Sequence, residues 1–163
     1  LNPLNGLSGI DFNDPKKRVD WFTGMIDDIG KWVAERACMI LASWREVFGT
    51  TDSVALMELM MASRRDTELA NVMRQIWITG YETLDVASRH YFEALDPDVN
   101  PTQLFALTHW LMSGMALERH LMDGEHVEHH FLALWSRVLR GYMKPRDGVT
   151  TPPPKPRQWD STL

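Results

Sequence analysis

The sequence predicts an all-α fold, a helical bundle of about five to six helices. Three observations carry that prediction. Apolar residues recur at three- and four-residue steps through most of the chain. Helix starts and stops punctuate the pattern at regular intervals. No stretch alternates apolar and polar residues in the way a half-buried strand does. With 163 residues, 44% hydrophobic and 24% charged, one domain has enough material for a continuous core.

Residues 1–14 read as an irregular N-terminal segment, rich in Gly, Pro and Asn. Asp14-Pro15 opens the first helix, with Asp as N-cap and Pro at the first helical position. Val19, Phe22, Ile26, Ile29, Val33 and Ala37 begin a stripe that Ile40, Leu41, Trp44 and Phe48 continue to Gly49. That is long for one globular helix. Gly24 and Gly30 each cost about 1 kcal/mol against Ala in a helix interior. A break or kink is therefore expected between Gly30 and Glu35. Thr51, Asp52 and Ser53 are cap candidates for a short helix over 54–63.

Arg64-Arg65 suits the C-terminal end of that helix, and Asp66-Thr67-Glu68 the N-terminal end of the next. The next helix carries Leu69, Val72, Met73, Ile76, Trp77 and Gly80 toward Leu95, and Asp96-Pro97 ends it. Asn100-Pro101-Thr102-Gln103 then supplies a cap, a first-turn proline and a glutamine three residues after the cap. That helix should run to about Met122, and a last one from Glu125 to Tyr142 or Met143. The helical domain is thus expected over 15–143. Residues 144–163 hold five prolines and read as a disordered tail, in preference to a polyproline ligand built on PPPKP.

The two C-terminal helices carry more apolar surface than one core face needs. The helix from Pro101 is apolar nearly all round, which requires burial on more than one side. A two-fold homodimer with a four-helix interface would supply the second side. The expected interface residues are Leu107, Trp110, Leu111, Gly114 and Leu117, with Phe131, Trp135 and Val138 from the last helix. A tightly wrapped monomer core is the alternative.

Composition excludes several classes. The net charge of −5 lacks the basic face of a duplex-binding domain. The single Cys cannot form an internal disulfide, which fits a reduced, cytoplasmic setting. No apolar run approaches the roughly 18 residues of a membrane span. No phosphate loop, zinc-protease motif or nucleophile elbow is present, so no enzyme and no cofactor is expected. His120, Glu125, His126, Glu128, His129 and His130 raise a metal-binding helical bundle as an alternative. The Glu-x-x-His spacing of carboxylate-bridged bundles is missing, so no metal site is assigned.

Residues Ala55–Gln75, ALMELMMASRRDTELANVMRQ, resemble a segment of TetR-family transcriptional regulators, where a short apolar helix turns through Arg-Asp-x-Glu-Leu into a long one. Ala34–Ser53 is similar to the helix and loop before it. Pro101–Asp123 is similar to the family's dimerisation helix, with a Gly-x-Ala-Leu-x-Arg centre. The resemblance covers about residues 15–143. It implies a ligand-sensing, dimerising domain and a small, mainly apolar or aromatic effector inside the helical body. DNA would be read only by an N-terminal helix-turn-helix, which this chain lacks, since fourteen residues precede the first helix. The pocket walls so implied are Trp32, Cys38, Leu41, Met57, Met60 and Met61 from the earlier helices. Trp77, Tyr81, His109, Met112 and Met115 come from the later ones. Glu58 and His109 are the groups expected to orient a ligand. Ten Met would suit an adaptable cavity. A standalone interaction module with a closed interior remains the third reading.

Overall fold

The computed structural model describes residues 14–34, 39–121 and 123–156. Seven helices run in the order α1 (Pro15–Ala34), α2 (Met39–Ser43), α3 (Thr51–Ala62), α4 (Thr67–Tyr91), α5 (Pro101–Glu118), α6 (Gly124–His126) and α7 (Ala133–Tyr142). Two wide π-helical turns join them, Trp44–Phe48 after α2 and Val127–Leu132 between α6 and α7. The fold is all-α apart from a two-stranded ribbon, β1 (Phe92–Ala94) and β2 (Met143–Pro145).

The expected starts hold. The Asp14 carboxylate accepts from the Lys16 amide, Asp66 from Leu69, and Asn100 from Thr102. Each satisfies an amide that the first turn leaves without a partner. The short third helix is capped one residue earlier than expected, where Thr50 accepts from the Ser53 amide.

Helix α4 is the centre of the bundle, with α1 packed on one side and α5 on another. Val19, Phe22, Ile26 and Ile29 of α1 are buried. Each such side chain contributes about 1.5–3 kcal/mol when fully removed from water. Two glycines set how close the helices come. A β-carbon at Gly80 of α4 would stand 2.9 Å from the Phe22 ring of α1. One at Gly30 of α1 would lie within contact distance of the Tyr91 phenol oxygen of α4. Phe22 pairs with Gly80 and the later Gly30 with the later Tyr91, so the two helices run in the same direction. Gly30 therefore serves close packing, and α1 continues through it to Ala34. A break at residues 35–38 would lie outside the described residues.

A buried polar knot ties α4 to the start of α5. The Thr102 hydroxyl donates to the Asp85 carboxylate at 2.6 Å and lies 3.0 Å from the Ser88 hydroxyl. The Ser88 hydroxyl also donates to the Asp85 backbone carbonyl at 3.1 Å, so its one proton is shared between that carbonyl and the Thr102 oxygen. Arg89 Nε donates to the same carboxylate at 2.8 Å. Burial alone would push Asp85 up, but the bonds from Thr102 and Arg89 outweigh it and hold the carboxyl below its ordinary value.

The ribbon was not visible as alternation. Its strands are three residues each, too short for a period to show. Glu93 faces Lys144 across it in a 2.8 Å ion pair. The Arg146 amide donates to the Tyr91 carbonyl, and Arg146 Nε to the carbonyls of Arg89 and Phe92. The expected boundary at 143/144 thus cuts through a strand. In residues 144–156, expected as part of a disordered tail, most side chains are exposed, but Val149 packs on the core and Pro153 and Pro156 are buried. The prolines stay compatible because Pro145 sits in a two-stranded ribbon, where every strand is an edge.

Replacing Gly30 by Ala should lower unfolding stability by about 1–3 kcal/mol, since the new methyl overpacks against the buried Tyr91 phenol, which must shift to admit it. Gly24→Ala, with open space around it, should raise stability by up to about 1 kcal/mol. Urea unfolding of both variants checks the pair, and equal shifts would mean that α1 does not press on Tyr91. Thr102→Val should cost about 1–3 kcal/mol at neutral pH by unmaking the knot. Asp85 has a lowered folded value, so its contribution is complete above the ordinary carboxylate range and is lost as pH falls through the folded value. The variant should therefore lose less stability than the parent on acidification below about pH 4. Parallel acid profiles for the two would remove that role for Asp85.

Candidate functional site

Helix α5 is divided lengthwise. Phe105, Ala106, Met112 and Ala116 face the core, and Met112 is 0% exposed. Leu107, Trp110, Leu111 and Leu117 lie outside at helical spacing, with Trp110 58% exposed and Gly114 open beside them. Phe131, Leu134, Val138 and Tyr142 form a second exposed apolar row on the last helical segment. Trp135 is half-buried, and its indole N–H donates to Thr108 of α5 at 2.9 Å. Thr108 in turn donates to the Leu104 carbonyl. This bond links α5 to α7, while Trp110 of the first row stacks on Trp77 of α4. Of the eight residues expected at an interface, seven are exposed and Trp135 is half-buried.

The expected pocket walls do not enclose a common cavity. Met57 and Met112 are buried in the core, and Leu41, Met60, His109 and Met115 are half-buried. Glu58, Met61, Trp77 and Tyr81 are on the surface, with Met61 55% exposed. Cys38 and the Trp32 side chain lie outside the described residues. The aromatic members were placed inside because they continue the apolar stripes of their helices. Periodicity marks a face without saying what covers it. Trp77 instead stacks parallel to Trp110, with ring centroids 6.4 Å apart. His109 sits edge-on between Phe48 and Trp77, 5.4 Å from each ring. Burial pushes its imidazole below the ordinary value and keeps it neutral at pH 7.

Two hollows on the described residues bear on a ligand. The larger, about 530 Å³, is a one-sided concavity on the α3–α4 turn, lined by Met61, Ala62, Arg64 and Arg65 alone. The smaller, about 310 Å³, has walls from two elements: Leu41 of α2 on one side, and His129, Ala133, Ser136, Arg137 and Arg140 on the other. It is a shallow cleft, more open to solvent than the first hollow, and it borders the second π-helical turn through His129. Arg45 of the first turn grips Glu128 of the second, its Nε 3.1 and 3.2 Å from the two carboxylate oxygens and its Nη2 bonded as well. The hydrogen bond from Arg45 holds Glu128 below its ordinary value against the effect of burial. Sequence reasoning named Leu41 but passed over Arg137 and Arg140. Their spacing on the side of α7 opposite its apolar row was the available signal.

The histidine run does not gather into a metal centre. His126 and His130 approach with ring centroids 4.4 Å apart, yet no group of three or more His, Cys, Asp or Glu side chains with metal-binding geometry occurs among the described residues. No described helix is long and apolar enough to cross a membrane. No family model, no curated protein and no solved structure matches the chain.

Arg45→Gln should move the Glu128 carboxyl up toward its ordinary value, as read by carbon NMR of the carboxyl during an acid titration. The shift should shrink in 0.5 M salt, because the pair is partly exposed. An unchanged titration would show that the clasp between the two π-helical turns is not formed in solution.

Proposed function

We propose that this chain is a homodimerising helical sensor domain of a transcriptional regulator resembling the TetR type. The observation that supports it is the pair of exposed apolar rows, one on α5 and one on the last helical segment. From the exposures, their apolar residues offer on the order of 700 Å² per copy, near the ~800 Å² that each partner gives to a stable interface. The rows hold three aromatic anchors, Trp110, Phe131 and Tyr142, of the kind that dominate association energy. No charged residue interrupts either row. Without a charge pattern to demand a different partner, the same surface on a second copy is complementary to it. Gly114 at the centre lets two helices cross closely, and pairing α5 and α7 about a two-fold axis makes a four-helix interface. DNA contact belongs, in this proposal, to a helix-turn-helix ahead of α1.

Sedimentation of the chain at micromolar concentration should give a dimer. Gly114→Leu should raise the dimer dissociation constant by about 10–100-fold, because the added side chain separates the facing helices by more than a contact distance. Far-UV circular dichroism should not change, since a side chain at Gly114 meets nothing within its own chain. A monomeric parent at micromolar concentration sinks the proposal, and an unaltered constant in the variant moves the crossing point away from Gly114.

A further inference from the structure

The regulator proposal leaves its effector without a place, because the expected pocket walls are divided between core and surface. We propose that the cleft between α2 and α7 binds a small anionic molecule with an apolar body. Arg137 and Arg140 would hold a carboxylate or phosphate head, and Leu41 and Ala133 would support the hydrocarbon part. This inference deepens the sensor half of that proposal and is independent of the dimer half.

Four observations carry it. The cleft, about 310 Å³, is open to solvent and has walls from α2 on one side and the last helical segment on the other, so it would seat a head group and leave much of a ligand exposed. Arg137 and Arg140 lie one turn apart on the same side of α7, so their like charges repel modestly. Among the described residues neither has a carboxylate partner, although the chain carries a net charge of −5. An anion between them would remove the repulsion, and guanidinium groups match the planar geometry of carboxylate and phosphate.

The third observation concerns the nearest competing charge in sequence. Glu128 adjoins His129, but Arg45 holds it in the clasp between the π-helical turns. That carboxylate is therefore engaged away from the arginines. The fourth is the backbone itself. π-helical turns are rare and often accompany functional sites. One of the two here carries His129 to the cleft, and the other follows directly on α2, which supplies Leu41. Ala133, Ser136, Arg137 and Arg140 share one side of α7. Leu134, Val138 and Tyr142 share the opposite side. A ligand in the cleft would thus touch the back of the helix whose front forms the proposed interface.

The test uses the full 163-residue chain with four probes: octanoate, octyl phosphate, 1-octanol and inorganic phosphate. Calorimetry reads affinity, and NMR shifts of the Leu41 and Ala133 methyls and the Ser136 amide read location. At least one octyl anion should bind saturably with shifts at those groups, and the tighter of the two identifies the head. Octanol and inorganic phosphate should bind at least tenfold more weakly. The double variant Arg137→Gln/Arg140→Gln should lose at least tenfold in octyl-anion affinity, with its melting temperature and dimer constant unchanged. Octanol binding as tightly as the anions, full affinity in the double variant, or no binding of either octyl anion would overturn the assignment. A dimer without binding removes the cleft alone, whereas a monomer that binds removes the dimer alone.

Discussion

The two reciprocal contacts between α1 and α4 are the constraint on which the rest of the molecule depends. Each helix gives up one side chain so that the other can seat an aromatic ring: Gly80 receives Phe22, and Gly30 lies against Tyr91. Because both contacts must form at once, the helices are fixed in direction and in axial register. Two parallel helices cannot be joined by a tight turn. The chain must return across the bundle between them, and α2, α3 and the first π-helical turn make that return. In close-packed interiors such contacts transmit geometry.

From that pair the structure builds outward through polar links between elements distant in sequence. Thr102 and Ser88 fasten the start of α5 to α4 around the Asp85 carboxylate. Thr108 and Trp135 fasten the middle of α5 to α7. The ribbon and Arg146 close the far end against the last turn of α4. Each link satisfies groups that burial would otherwise penalise. Both α5 and the last helical segment keep an apolar row outward.

The helical framework was legible because its signals are local. Asp14, Asp66 and Asn100 stand before their helices with caps formed as their chemistry dictates. The surplus apolar surface of α5 was legible as well, since a helix apolar nearly all round cannot bury every side in one core. The ribbon was not, because three-residue strands carry no readable period. Gly30 was taken as a weakness in a helix because its partner, Tyr91, lies sixty-one residues away. The pocket failed for the same reason. Trp77, Tyr81 and Met61 continue apolar stripes, and only their neighbours decide whether a stripe is covered.

The sequence by itself determined where helices start and stop, the absence of a basic DNA-reading face, and which two helices carry surplus apolar surface. These follow from capping, charge and periodicity, which act within a few residues. Tertiary structure decided which glycines admit a neighbour and that Arg45 reaches Glu128 across eighty-three positions. It also set Arg137 and Arg140 across a cleft from Leu41, on the opposite side of α7 from its apolar row. Those facts depend on the direction and spacing of whole helices. Both are set by packing between segments far apart in the chain, where no local pattern records the partner.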